Sequence, residues 1–131
     1  MYKRQHYDEA VRISRGRIDS GNPKLPLRAS ELAWLALVYE TRFEAIGRNA
    51  NDTSDLAAAA VALEQGTKLD PYGIEQPRRL MQLYARLGQP ETARMWAKKV
   101  LELDKLKRLD REVQGLSEED RIEAERLSAN P

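Results

Sequence analysis

The chain contains no cysteine and a single histidine, His6, among its 131 residues. Without cysteine there are no disulfides, thiolate nucleophiles or cysteine zinc sites. No apolar run approaches the roughly 20 residues that cross a bilayer, so we expect this piece to be soluble, with no membrane-spanning segment. The glycines are isolated rather than grouped in a phosphate-binding loop. We therefore predict no catalytic residue, no cofactor and no metal.

Charge is abundant but nearly balanced, with 33% charged residues and a net charge of +1. Residues 1–28 carry seven Lys or Arg against three acids, whereas residues 29–70 carry three against seven. A further basic cluster lies within residues 94–111, but Glu102, Asp104 and Asp110 interrupt it, and Trp96 is its one aromatic residue. Such patterns are more typical of solvated helix faces than of phosphate contacts, so we expect no nucleic-acid partner.

Apolar residues recur at helical spacing along the whole chain, which predicts an all-α fold. Ser30 is a plausible N-cap, Thr53 or Ser54 another, Gly47 is expected in a left-handed turn, and Gly88 and Pro90 form a tight reversal between two helices. Six helices are predicted, at about 6–20, 30–46, 54–69, 75–87, from 90 past 103, and 117–127.

Several side chains admit two placements. Leu106, Leu109 and Val113 are expected to continue the apolar face of the fifth helix. The last helix offers Ile122, Ala124 and Leu127 for burial, so we expect it to pack loosely or to shield the end of the stack. Trp34 and Trp96 stand beside apolar stripes, which favours the core over exposed binding positions.

A 34-residue period links Ala59 to Ala93 and Leu69 to Leu103. The run LMQLYARLGQPETARMWAKKVLELDK, residues 80–105, resembles a tetratricopeptide repeat. In that pattern large side chains fill the space between paired helices, glycine permits the turn, and small side chains allow close approach of the helix backbones. The matching positions are Leu80, Met81, Tyr84, Gly88, Ala93, Ala97 and Val100.

A second, looser copy precedes it. Its matching positions are Leu35, Ala36, Tyr39, Ala59, Leu63 and Leu69, followed by Asp70-Pro71, with about eleven more residues between Tyr39 and Ala59 than in the other copy. The predicted organisation is an N-terminal helix and connector (1–28), a first repeat with an extended loop (29–71), a second repeat (72–105) and a C-terminal capping segment (106–131). The expected architecture is antiparallel helical hairpins stacked as a short superhelix.

The resemblance implies a non-catalytic interaction or scaffolding module. Its partner would be a protein or peptide, including a segment of its own parent chain, bound in a groove lined by the first helix of each repeat. Leu37 would supply apolar contact, while Arg78 and Arg86 would pair with a partner carboxylate. The implied groove positions are Ala33, Leu37, Glu40, Thr41, Arg78, Gln82, Ala85 and Arg86.

An alternative concerns the parent protein. The run WAKKVLELDKLKRLDREVQGLSEEDR, residues 96–121, resembles the tail of repeat-bearing C-terminal regions of O-antigen ligase or polymerase-type membrane proteins. This would make the module an extracytoplasmic accessory region of a glycan-assembly protein. Residues 1–5 resemble translated adapter sequence, so we expect the native chain to continue upstream. The compartment is left open.

Overall fold

A computed structural model describes residues 2–21, 27–48, 51–109 and 115–129. The described part is helical throughout and contains no strand, which confirms the predicted all-α class. A single π-helical turn, Phe43–Gly47, extends the second helix. Within these ranges the α-helices are α1 (Tyr2–Asp19), α2 (Ala29–Arg42), α3 (Ser54–Leu69), α4 (Glu75–Arg86), α5 (Pro90–Arg108) and α6 (Glu118–Ala129).

The chain divides into two units, Met1–Asp70 and Pro71–Pro131. The boundary lies one position before the predicted division after residue 71. The finer division into two repeats with a cap at each end stays a prediction, as does the superhelical stacking.

The first unit is built around α2, which packs against α1 on one side and α3 on another. Leu32 and Leu35 of α2 and Leu56 and Leu63 of α3 are fully buried. Ala59 has no exposed surface, and its small side chain lets the two helices approach closely. The apolar contact between α2 and α3 therefore forms the core of this unit.

The contact between α1 and α2 is of a different kind. None of the α1 side chains at positions 4–19 is fully buried. Arg17 of α1 pairs with Glu31 of α2 at 2.9 Å, and Arg42 of α2 pairs with Asp8 of α1 at 3.1 Å. Ion pairs therefore supply much of the specific contact between these two helices.

Two predicted helix ends in this unit are wrong. The residue before α2 is Arg28, not Ser30, and the Glu31 carboxylate accepts the Arg28 backbone N–H at 3.0 Å. Gly47 is not left-handed but ends the buried π-helical turn, where a Cβ would lie 2.9 Å from the Asp52 carbonyl oxygen. Glycine is required there because two backbone segments approach closely.

The side chain of Asp52 accepts a backbone hydrogen bond at the start of α3. Its Oδ1 accepts the Ser54 backbone N–H at 3.0 Å, and this bond is the main reason that the pKa of Asp52 is lowered. Thr53, a predicted N-cap, precedes the helix but makes no capping bond through its side chain.

In the second unit, α4 and α5 form the predicted antiparallel hairpin. Gly88 has φ +73°, and the Gln89 N–H donates to the Tyr84 carbonyl at 2.9 Å, which closes the end of α4. Pro90 is the first residue of α5, where its missing N–H costs no helical bond. Leu80 of α4 and Ala93 of α5 are fully buried.

The last helix packs more closely than the sequence predicts. Ala124 is fully buried and Leu127 nearly so, in a cluster with Met81, Ala97 and Val100. Before this helix, the Ser117 Oγ accepts the Asp120 N–H at 3.1 Å. The α6 helix therefore completes the core of this unit rather than resting loosely on it.

Three apolar side chains expected in the core lie outside it. Leu106 and Leu109 of α5 are exposed, Leu109 to 83%, and Ile122 of α6 is also exposed. Val113, predicted to extend the same face as Leu106, lies outside the described residues.

Candidate binding surface

The most exposed side chains of α2 carry no charge. Ser30, Trp34, Leu37 and Thr41 follow one another at intervals of four, three and four residues, so they share one stripe of the helix. All four are exposed, Trp34 to 60% and Leu37 to 44%. In a chain with 33% charged residues, this uncharged stripe stands out, and we call it the α2 face.

The α2 face has few hydrogen-bonding groups that a partner would have to satisfy. The Thr41 hydroxyl donates to the Leu37 carbonyl within the helix at 2.8 Å, so its hydrogen is already used. Trp34 and Leu37 offer mainly carbon surface. A partner that covers these side chains therefore loses little polar solvation and gains apolar burial.

A shallow cavity of about 250 Å³ opens beside the α2 face, between α2 and α1. Ile13 is 60% exposed at its edge, and the Arg17–Glu31 ion pair supplies its charged groups. Because the two charges are already paired, the cavity presents no single unbalanced charge. It is lined by Ile13, Ser14, Arg17, Ile18, Glu31 and Trp34.

The sequence favours the core for Trp34 over an exposed binding position, and the structure shows the exposed alternative. Trp34 follows the core stripe of α2 closely in sequence, but it lies at the centre of the opposite, exposed stripe. The exposure of Ile13 was missed, because the sequence does not show which side of α1 meets α2. Trp96 is partly buried, as favoured, although its buried indole N–H finds no acceptor among the described residues.

The predicted groove positions on α2 fall on or beside this face. Leu37 and Thr41 belong to it, whereas Ala33 and Glu40 are half-buried at its margin. On α4, Ala85 and Arg86 are exposed, and Arg78 and Gln82 are half-buried.

The contacts of Arg78 and Gln82 lead toward α6. Gln82 Nε2 donates to Glu123 Oε1 at 2.8 Å, and Arg78 lies 3.8 Å from Asp120. Arg78 also bonds Glu75 on its own helix, and this bond is the main reason that its pKa is raised. The sequence does not predict these contacts between α4 and the acids of α6, because it does not show how α6 packs against α4.

A polar centre joins all three helices of the first unit. The Arg42 guanidinium donates from Nε and Nη2 to Asp55 of α3, at 2.9 and 2.6 Å, and from Nη1 to Asp8 of α1 at 3.1 Å. It also lies 5.7 Å from the centre of the Tyr39 ring. A cavity of about 280 Å³ adjoins this centre. Because the donors of Arg42 already have acceptors, we assign this centre to stability.

The described residues include no group of three or more histidines or acids arranged to hold a metal ion. His6 is exposed on α1. Within the described ranges, no helix has the length and apolar content that a bilayer crossing requires.

Comparison with known proteins assigns no family. No protein-family model matches the chain, and a search of curated proteins finds no match.

Proposed function

We propose that this chain is a non-catalytic protein interaction module of the tetratricopeptide-repeat type, which binds a protein or peptide segment through the α2 face. The exposure of Trp34 carries the proposal. Tryptophan is among the side chains that most often dominate binding energy at protein interfaces. Leu37, three residues along the same stripe, extends the apolar contact.

The four α4 positions enter the proposal as a second, weaker contact surface. Ala85 and Arg86 are exposed, whereas Arg78 and Gln82 are half-buried. Because Arg86 is the more exposed arginine, we expect Arg86→Ala to weaken partner binding more than Arg78→Ala does.

The proposal is tested by selecting binders from two display libraries, one of short linear peptides and one randomised on a single face of a stable helical scaffold. Selected clones are then titrated against wild type and Trp34→Ala. Loss of a central tryptophan costs about 2 kcal/mol or more, which corresponds to about a thirtyfold weaker affinity. Val61→Ala is the matched control, because Val61 is an equally exposed apolar residue (54%) on α3 of the same unit.

Binders that tolerate Trp34→Ala as well as Val61→Ala would contradict the α2 face as the binding surface. The alternative, an extracytoplasmic accessory region of an O-antigen ligase-type protein, is a proposal about the parent chain. Transmembrane segments in the gene upstream of this sequence would support it, and the binding role of the α2 face would be unaffected.

A further inference from the structure

We infer that the segment bound by the α2 face is an α-helix that presents an uncharged row of apolar side chains. The inference rests on the proposed function and names the chemistry of the partner. Four observations carry it: the hydrogen-bonding capacity of the face, the spacing of its side chains, the cavity beside it, and the lack of charge on its exposed side chains.

An extended peptide brings unpaired backbone N–H and C=O groups to the surface that it binds, and these must find partners when water is removed. The α2 face offers few, because the backbone of α2 is bonded within the helix and the Thr41 hydroxyl donates to the Leu37 carbonyl. A helix satisfies its own backbone and needs no such partners. The hydrogen-bonding capacity of the face therefore favours a helical occupant over an extended one.

The spacing of the α2 face agrees with this. At about 1.5 Å of rise per residue, Trp34 and Leu37 are about 4.5 Å apart along the helix axis, and Leu37 and Thr41 about 6 Å. A second helix lying along α2 repeats its own side chains at the same intervals, three and four residues apart. Its apolar row can therefore alternate with Trp34, Leu37 and Thr41.

The cavity beside Trp34 gives one of these partner side chains a place to enter. Its volume of about 250 Å³ exceeds the roughly 150 Å³ of an engineered protein cavity that admits a benzene molecule. An apolar partner side chain can therefore enter the cavity that Trp34 and Ile13 line. The ion pair of Arg17 and Glu31 is complete without the partner, so no partner charge is required.

Charge complementarity completes the argument. The exposed side chains Ser30, Trp34, Leu37 and Thr41 carry no charge over about 16 Å of helix, and the half-buried Glu40 lies only at their margin. A charged partner side chain at the centre of this row would therefore lose its hydration with no opposite charge in return. The binding row of the partner is therefore uncharged, and the affinity depends little on salt. An acidic or phosphorylated segment would instead bind less tightly as salt rises.

The two libraries described above provide the test. We expect Trp34-dependent binders chiefly from the helical scaffold, with uncharged apolar residues at three- and four-residue spacing. Their Kd should change less than about twofold between about 0.05 and 0.5 M NaCl. A proline placed mid-helix in a selected binder should weaken it more than about tenfold. Leu37→Glu, a second variant at an exposed position, should abolish binding, whereas Val61→Glu should not.

The remaining outcomes separate the inference from the proposed function. Trp34-dependent binders that come from the linear library and tolerate a central proline would overturn the helical partner and leave the binding role intact. The absence of any Trp34-dependent binder from either library would overturn both. A wild-type dimer in sedimentation velocity that Trp34→Ala abolishes would replace the helical partner with a second copy of this chain.

Discussion

Arg42 on α2 holds the carboxylate of Asp55 on α3 through two parallel hydrogen bonds, from Nε at 2.9 Å and Nη2 at 2.6 Å. Asp55 is almost fully buried, so it depends on this cation for charge balance. The bond to Asp55 is the main reason that the pKa of Arg42 is raised, and the cation is retained at all ordinary pH values. The pair fixes how α2 and α3 align.

Replacing this cation should be costly. Arg42→Met leaves the Asp55 carboxylate buried and unpaired, and we expect the free energy of unfolding to fall by about 3 kcal/mol in urea titration. Arg48→Met is the matched control: the ion pair of Arg48 with Glu44 is exposed, so its loss should cost less than about 1 kcal/mol. The double variant Arg42→Met/Asp55→Leu should recover most of the loss. Equal costs for Arg42→Met and Arg48→Met would contradict the assignment.

Asp104 predicts a specific dependence of stability on pH. Burial raises the pKa of this α5 carboxylate, but hydrogen bonds from the Leu116 N–H (2.7 Å) and Arg108 Nε (2.9 Å) outweigh that effect and hold the pKa below its ordinary 3.8. A carboxyl whose pKa is lower in the folded than in the unfolded chain stabilises the fold above the unfolded pKa. That stabilisation is lost as the pH falls through the folded pKa.

Asp104→Asn removes this contribution. We expect the variant to be less stable than wild type by about 2 kcal/mol at neutral pH, because it loses hydrogen bonds to a charged group. The difference should shrink as urea titrations are repeated below about pH 4. A difference that stays constant from neutral to acid pH would show that the charge of Asp104 is not what connects α5 to the start of α6.

Replacement of Gly47 and of Gly16 by alanine should change the stability of the fold in opposite directions. At Gly47 a Cβ would meet the Asp52 carbonyl oxygen at 2.9 Å and the Phe43 ring at 3.1 Å, so Gly47→Ala should cost about 2 kcal/mol. At Gly16, within α1, a Cβ meets nothing within 4 Å, so Gly16→Ala should stabilise the helix by up to about 1 kcal/mol. Thermal melting of both variants measures the contrast, and a stabilising Gly47→Ala would show that the turn has room.

The hairpin of the second unit predicts a third contrast. Ala93 of α5 is fully buried, whereas Ala85 of α4 is exposed. If Ala93 packs against α4, as the repeat resemblance implies, Ala93→Arg forces a long charged side chain into that interface and should lower the free energy of unfolding by about 3 kcal/mol or more. Ala85→Arg should change it by less than about 0.5 kcal/mol. Similar melting temperatures for the two variants would place Ala93 outside the interface.

The sequence predicts this hairpin well because its ends are marked by local chemistry. Gly88 and Pro90 act through their own backbones, and both lie where their spacing places them. Gly47 shows the limit of such reasoning: its requirement for glycine comes from Asp52 and Phe43, which reach it only in the folded chain. The burial of Ala124 and Leu127 is equally non-local, because it depends on side chains of α4 and α5.

In the candidate binding surface too, the sequence predicts what depends on one helix and misses what depends on contacts between helices. The repeat pattern predicts the buried positions Leu35 and Ala36 of α2, and the exposed position of Leu37 is implied by the same resemblance. Apolar spacing does not show how wide the buried arc is, so it favours the core for Trp34, which is exposed. The cavity beside Trp34 belongs to the pairing of α1 with α2, which a single-helix pattern cannot reveal.

The attachment of α1 has a consequence for the order in which backbone amides exchange with deuterium. A helix whose described side chains, at positions 4–19, include none that is fully buried can unfold without opening the leucine core of α2 and α3. Its amides should therefore exchange first, and faster at high ionic strength as Arg17–Glu31 and Arg42–Asp8 are screened. One wall of the cavity beside Trp34 would then open and close with α1, while α2 itself stays folded.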